Sequence, residues 1–390
     1  MSTTTTDPEI PTMMRASGER RLPWYHLVFT GLAGAAVAAV VLLAFDAFSI
    51  PALMLLGFIL HVLFGYVYSW IREGRRWAMD RLMMLIVIGA FALAMFPLVS
   101  LLWEVLSRGG ARLIQASPTP FSFWTEDMSG IVGGADAGGV LHATVGTLLI
   151  TLWASIISIP IGLFTAIFLV EYADQGWRRV LGKGVTFLVD VMTGIPSIVA
   201  GLFGLALFLA FLPDGQQGVR MGIMGSVALS LLMIPTVVRS SEEMLRLVPM
   251  DLREAAYALG VPKWLTIVRV VLRTAVAGLT TGITLAIARV IGETAPLLLT
   301  VGMVTSINWN MFDGRMATLP TYINQQYRNG SANCMSDTVT NPINQEVYAC
   351  SITTNIDRAW AAALTLIIIV MVLNIIARLV SHYFSPKISR

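Results

Sequence analysis

Only 13% of the 390 residues are charged, and 56% are apolar. An ordinary soluble domain carries about 25% charged residues. With a mean hydropathy of +0.74, the shortage of charge excludes a chain that hides its apolar surface in one water-soluble core. Lipid must solvate much of it. Cysteine is nearly absent: Cys334 and Cys350 alone exclude a cysteine-rich metal scaffold and allow at most one disulfide. No Gly-x-x-x-x-Gly-Lys-Ser/Thr loop occurs, so the chain holds no ATP in a P-loop, and energy for active transport must come from another chain. His-Glu-x-x-His, Cys-x-x-Cys and a persuasive nucleophile triad are also missing. The net charge is only +3, and the basic residues sit between apolar runs, as loop charge does and a nucleic-acid footprint does not. The twenty methionines are scattered along apolar runs, which suits packing rather than copper binding.

A crossing needs about 17–25 mostly apolar residues. Eight runs qualify, at about 27–44, 51–71, 82–103, 144–170, 185–212, 221–238, 275–303 and 359–380. Each must be helical, because backbone groups in lipid are paired within their own segment. The runs are continuous rather than alternating, which excludes a membrane β-barrel. The first run follows Arg15, Arg20 and Arg21 like a signal peptide, but no small-residue cleavage site follows it, so it reads as a retained span. Most of the arginines and lysines fall into five alternate connections: the N-terminal tail; Arg72, Arg75, Arg76 and Arg81; Arg178, Arg179 and Lys183; residues 239–273; and Arg378, Lys387 and Arg390. By the positive-inside rule both termini are cytoplasmic. The threonine-rich start at Ser2–Thr6 is expected to be disordered.

Two long loops then lie outside. One, about 104–143, is rich in Gly, Ser and Pro around Phe121-Ser122-Phe123-Trp124. The other, about 304–358, holds both cysteines, sixteen positions apart. They are either two free thiols or a disulfide. An oxidising compartment favours the disulfide, which would stabilise by about 3 kcal/mol in the chain-entropy description.

The loop at 239–274 reads Arg239-Ser-Ser-Glu-Glu-Met-Leu-Arg-Leu-Val-Pro249-Met-Asp251-Leu-Arg-Glu254-Ala-Ala-Tyr-Ala-Leu-Gly260-Val-Pro262. Asp251 and Glu254 have capping-box spacing. Ala255, Ala256, Ala258 and Leu259 favour helix. Gly260 can close a helix in the left-handed conformation, and Pro262 stops it. A short helix over Leu252–Leu259 is predicted, with a second helical stretch leading from Lys263 into the seventh span. Its alanine face suits docking into a partner's groove; a connector lying along the membrane surface is the plain alternative.

In the seventh span Arg289 and Glu293 are four apart, hence on one face of a helix. Arg289 lies about 21 Å into the run at ~1.5 Å per residue, where a charge costs at least about 2.5–3.5 kcal/mol. Either the two lock helices together as an ion pair, or Arg289 meets an anion in a translocation path with Glu293 holding it. A planar guanidinium suits bidentate contact with phosphate. Gly292 and Pro296 imply backbone distortion nearby. Arg220 either attracts an anion at the outer mouth or snorkels. Asp190 is expected to pair with a loop arginine, His61 to have a packing role, Glu171 to be interfacial, and Ser197 to bond its local backbone.

Glu254-Ala255-Ala256 followed by Gly260 resembles the EAA signature of ATP-binding-cassette importer permeases. Ala288-Arg289-Val-Ile-Gly292-Glu293-Thr294-Ala295-Pro296-Leu297-Leu298-Leu299 is similar to a segment of phosphate-importer permeases of the PstA type, as are Glu242–Pro249 and Gly194-Ile-Pro196-Ser197. The resemblance covers roughly residues 140–380. It implies an all-α polytopic protein of about eight transmembrane helices with a MetI-like type I ABC importer permease core. Residues 1–26 would be a cytoplasmic tail, 27–80 two additional helices, and 81–390 the permease domain, with a coupling loop at 240–273 and an extracytoplasmic loop at 304–358. Arg289 and Glu293, with Arg220 and Thr294, would line the phosphate path; Glu254, Ala255, Ala256 and Gly260 would couple to the ATPase. The resemblance further implies a transporter subunit rather than an enzyme, in a bacterial cytoplasmic membrane. Its partners would be a second homologous permease, two ATP-binding subunits that hold ATP and Mg, and an extracytoplasmic phosphate-binding protein. No cofactor is expected in this chain. A permease for sulfate, molybdate or another solute, and an intramembrane enzyme, are the alternatives.

Overall fold

A computed structural model of the chain describes residues 23, 25–116, 119–131, 133–212, 220–334, 336–341 and 345–384. Ser2–Thr6, Arg15, Arg20, Arg21, Lys387 and Arg390 lie outside the described residues. The chain divides into two compact units, Met1–Leu102 and Trp103–Arg390.

In the first unit α1 (His26–Ala44) packs antiparallel on α2 (Ile50–Glu73). The Ser49 hydroxyl accepts from the Ala52 amide and caps α2, with Pro51 in its first turn. Thr30 Oγ1 lies 3.1 Å from His61 Nδ1, which gives His61 the packing role expected of it. Gly74, at φ 91°, is the whole connection to α3 (Arg75–Glu104). Arg81 therefore lies inside a helix rather than in the connection to which its charge was assigned. It pairs with Glu73 at 2.7 Å and donates to His26 Nε2 at 2.6 Å.

The helix begun at Arg75 continues through a π turn (Val105–Gly109) into α4 (Gly110–Ile114), so the third apolar run extends well beyond residue 103. Next come α5 (Leu141–Ile167), ending in a π turn at Phe168–Tyr172, then α6 (Gly176–Thr193) and α7 (Ser197–Phe211). The fifth run, expected as one helix over 185–212, is bent by 108° between α6 and α7. Pro196 disfavours helical backbone at the residue before it and lacks an N–H, so the helix stops at Thr193. Then follow α8 (Gly222–Arg246), α9 (Met250–Ala258) and α10 (Lys263–Thr266). A π turn at Ile267–Val271 leads into α11 (Leu272–Val290), which is followed by α12 (Ala295–Thr300) and α13 (Leu319–Asn329). The antiparallel hairpin β1 (Thr338–Thr340) and β2 (Val347–Ala349) precedes α14 (Thr354–Phe384). Among the described residues seven helices are long and apolar enough to cross a membrane, and an eighth if the bent pair is one crossing.

The bundle of the second unit is built round α8, whose apolar window is 61% buried against 6–33% in the other six. Small residues let neighbours approach it closely. A Cβ on Gly162 of α5 would lie 2.6 Å from Val237 Cγ1, and one on Gly282 of α11 would lie 2.7 Å from Ser240 Cβ. Ser226 and Ser158 hydroxyls tie α8 and α5 through the carbonyls of Ile150 and Ser230.

The two long loops form one cap with its own apolar core. Phe123, Val140, Leu319 and Tyr322 pack with Val105, Leu113 and Ala361 from the helix ends. Trp124 Nε1 donates to Thr365 Oγ1 of α14 at 2.9 Å. The helix α13 has no apolar run to announce it; Thr318 and Thr321 close a reciprocal capping box at its start.

Candidate docking helix and translocation site

The short helix forms, with different ends from those predicted. It starts at Met250, capped by Pro249 in extended conformation without a side-chain hydrogen bond, so Asp251 is inside the first turn and the Asp251–Glu254 capping box does not form. The proline supplies the extended entry geometry, and the Asp251 carboxylate favours the helix N-terminus through the dipole. Its end is as the sequence specifies. Gly260 stands at φ 76°, its amide donates to Tyr257 O at 2.9 Å, and the Val261 amide donates to Ala256 O at 3.1 Å. These two bonds are the Schellman pattern. Nothing lies within 4 Å of a Cβ built on Gly260, so backbone conformation alone requires the glycine.

Arg253 fixes this helix to the bundle. Its guanidinium is buried and bonds Glu171 Oε1 at 3.0 Å, Val248 O at 2.7 Å and Leu245 O at 2.9 Å. Glu171, expected to be interfacial, is instead 6% exposed and paired, because the π turn at the end of α5 carries it inward to meet Arg253. Lys263 Nζ sits 5.0 Å from the ring centre of the neighbouring Tyr172. With Arg253 and Ala256 turned inward, Glu254, Ala255, Ala258 and Leu259 are left exposed, beside the exposed Leu247 and Met250. Asp190 does find an arginine, but Arg239 lies inside α8 rather than in a loop; Arg239 also pairs with Glu242 at 3.0 Å, and Arg246 pairs with Glu242 at 2.8 Å.

The seventh span is not one helix. It ends at Val290, and a break over 291–294 precedes α12. Pro296 has no N–H and its ring would strike the carbonyl of Gly292, so the helix cannot run through. Arg289 is thus in the last turn of α11, while Glu293 is in the break, its amide donating to Val290 O at 3.1 Å. The shared helix face expected of the two is not formed, and neither is in an ion pair among the described residues. Thr281, Leu285 and Arg289 make an exposed stripe at four-residue spacing, so Arg289 faces outward from this chain. Half-buried Thr294 occupies the cap position of α12 without a side-chain cap bond. Pro296 rests on α7, where a Cβ on Gly201 would lie 2.6 Å from its Cα. Ser197 is the first residue of α7.

Past α12, Gly302 at φ 71° lies between the stems of Arg220 and Arg315, with both Cδ atoms 3.1 Å from where its Cβ would be. Neither guanidinium has an ion-pair partner among the described residues. Arg315 escaped the sequence reading because only backbone pairing brings it to Arg220: the Met221 and Met316 amides bond the carbonyls of Thr300 and Val301. In the cap Cys334 and Cys350 form a disulfide, their Cα atoms 5.8 Å apart. Burial pushes the Tyr322 hydroxyl up to about 12, and it raises the Glu126 carboxyl above the usual carboxylate value. Among the described residues no cluster of His, Cys, Asp or Glu could hold a metal ion.

The family described as "Binding-protein-dependent transport system inner membrane component" matches residues 158–390. The "Phosphate transport system permease protein PstA 1" of Mycobacterium tuberculosis (strain CDC 1551 / Oshkosh) is 44% identical over 291 residues, 75% of this chain and 84% of that protein. The "Phosphate transport system permease protein PstA" of Mycobacterium leprae is 44% identical over 286 residues, 73% of this chain and 83% of that protein. A solved structure of the MetNI methionine ABC transporter in inward-facing conformation aligns with a TM-score of 0.44 at 16% identity, over 64% of this chain and 95% of that one. The chain belongs to the binding-protein-dependent transport system inner membrane components and, among them, to the PstA permeases.

Proposed function

We propose that this chain is the transmembrane permease subunit of an ATP-driven phosphate importer, forming half of the path and pairing with a related permease, two ATP-binding subunits and an extracytoplasmic phosphate-binding protein. The 44% identity to a phosphate transport system permease over three quarters of the chain carries this reading. The geometry agrees with it at two places. Arg289 stands at the end of a long apolar helix on an outward-facing stripe, where a second permease could close a cavity around it. A guanidinium there offers phosphate two parallel donors. Glu293, in the adjacent break, is a fixed negative charge that keeps the anion from being held too tightly. The exposed apolar face of α9 suits a groove on an ATPase, and the Arg253–Glu171 pair would transmit its displacement to α5. Both termini and α9 are then cytoplasmic, and the disulfide-bearing cap is outside.

The test is uptake of radiolabelled phosphate by the reconstituted importer. Arg289→Ala should reduce uptake more than a hundredfold while the subunits still co-purify; ordinary uptake by that variant would refute the role. Competition by sulfate or molybdate as strong as by phosphate would refute the substrate.

A further inference from the structure

The cap contains a cavity of about 450 Å³ whose lining includes neither Arg289 nor Glu293. Gln325 and Asn333 stand at its exposed mouth. Its floor includes His142, Tyr322, Gln326 and Arg358, none more than 5% exposed. Four atoms of that floor lack a hydrogen-bond partner: His142 Nδ1, the Tyr322 hydroxyl, Gln326 Oε1 and Arg358 Nε. Buried polar atoms are nearly always paired, and two of these, the Tyr322 hydroxyl and Arg358 Nε, are donors that an anion could satisfy, whereas the Gln326 carbonyl needs a donor and His142 Nδ1 depends on its tautomer.

Charge states the demand more sharply. Arg358 is 1% exposed. Its Nη2 donates to the carbonyls of Ala135 and Ala137, and its Nη1 to Asn355 Oδ1 at 3.4 Å, all neutral acceptors. Asp136 acts on Arg358 through its charge but is ion-paired with Arg112, so one carboxylate serves two guanidiniums. No aspartate or glutamate is among the described residues that line the cavity. A buried guanidinium that only shares a carboxylate is costly unless something else completes its neutralisation. Tyr322, kept protonated by burial, is an O–H donor throughout the physiological range.

We propose that this cavity is a second site for a small oxyanion, held by the charge of Arg358 and the hydroxyl of Tyr322 and admitted past the amides of Gln325 and Asn333. It rests on the phosphate reading above only for the identity of the anion, which is inorganic phosphate on its way into the bundle. Such a site raises the local concentration of substrate on the side from which it enters.

The experiment is equilibrium binding of radiolabelled inorganic phosphate to the full chain in lipid nanodiscs, without partner subunits. The unaltered chain should bind saturably. Tyr322→Phe removes one hydrogen bond to a charged ligand and should weaken binding about tenfold or more. Asn333→Asp, at the exposed mouth, leaves the buried floor intact and should weaken it similarly by repulsion. Arg178→Ala, at an exposed position on α6, should bind as the unaltered chain does, with Arg289→Ala measured beside it. No saturable binding, or binding indifferent to both cap substitutions, overturns the proposal. Binding lost in Arg289→Ala but kept in the cap variants overturns the cavity and leaves the path reading standing. Tyr322-dependent binding of sulfate without any of phosphate supports the cavity and overturns phosphate as the substrate.

Discussion

Arg253 and Glu171 are the residues that hold α9 to the bundle, and their pairing makes a stability prediction. Both side chains are under a tenth exposed, so solvent screens them little. Removing one partner strands a buried charge, at a cost of about 3–5 kcal/mol. Arg253→Ala should therefore lower the thermal midpoint in detergent by several degrees. Arg253→Met combined with Glu171→Gln should cost clearly less than the sum of the single changes, since most of the penalty is the stranded charge. Additive losses would mean the two are not coupled. Glu126 gives a pH prediction of known sign. Burial raises its folded-state pKa above 4.5, so its favourable contribution is full below the unfolded value and is lost as pH rises through the folded one. Glu126→Gln should then be more stable than the unaltered chain at neutral pH, and the two should converge under acid. A gain that persists equally at low pH would show that desolvation of the charge is not its source.

At the scale of elements, α9 tests the sequence reading most directly. Gly260 and Pro262 announced where it stops, because only a residue free at positive φ can close a Schellman pattern there. Gly260→Ala meets no neighbour, so it should cost only backbone strain, about 1–2 kcal/mol. Its larger effect should fall on coupling, since the cap sets the angle at which α9 meets the chain leading to α10. ATP hydrolysis by the assembled importer should persist with reduced phosphate uptake, and a proportionate fall in both would assign the change to assembly instead. The apolar runs were equally legible, because length and hydropathy suffice to mark a crossing. What could not be read was where a run breaks. Arg289 and Glu293 are four apart, but the helix that would have aligned them ends at Val290. Pro196 bends its run by 108°, a magnitude that tertiary packing decides. Arg253 meets Glu171 across 82 positions, and no local pattern encodes such a pair. The amphipathic α13 hid within a polar loop, and its capping threonines were the signal available.

The whole molecule joins two kinds of stabilisation in its second unit. Around α8, small residues and hydroxyl-to-carbonyl bonds bring helices together where lipid removes the hydrophobic drive for association. In the cap, an aqueous-type core and the disulfide serve instead. Among the described residues the stretch from Ala332 to Ile352 is held by its own hairpin, the Ala332–Ile352 bond and the disulfide, and is joined to the rest by contacts that include Asp136 to Ala349, Ser351 to Gly134 and the Ala135–Cys350 bridge. Closing a loop of this size restricts the unfolded chain by about 3 kcal/mol. Cys334→Ser with Cys350→Ser should therefore raise hydrogen exchange across 331–352 roughly a hundredfold, the equivalent of that free energy, while amides of α8 keep their protection. If the α8 amides open to the same degree, cap and bundle unfold as one cooperative body. The disulfide would then be supporting the path itself, and reductant should abolish phosphate uptake rather than only slow its capture.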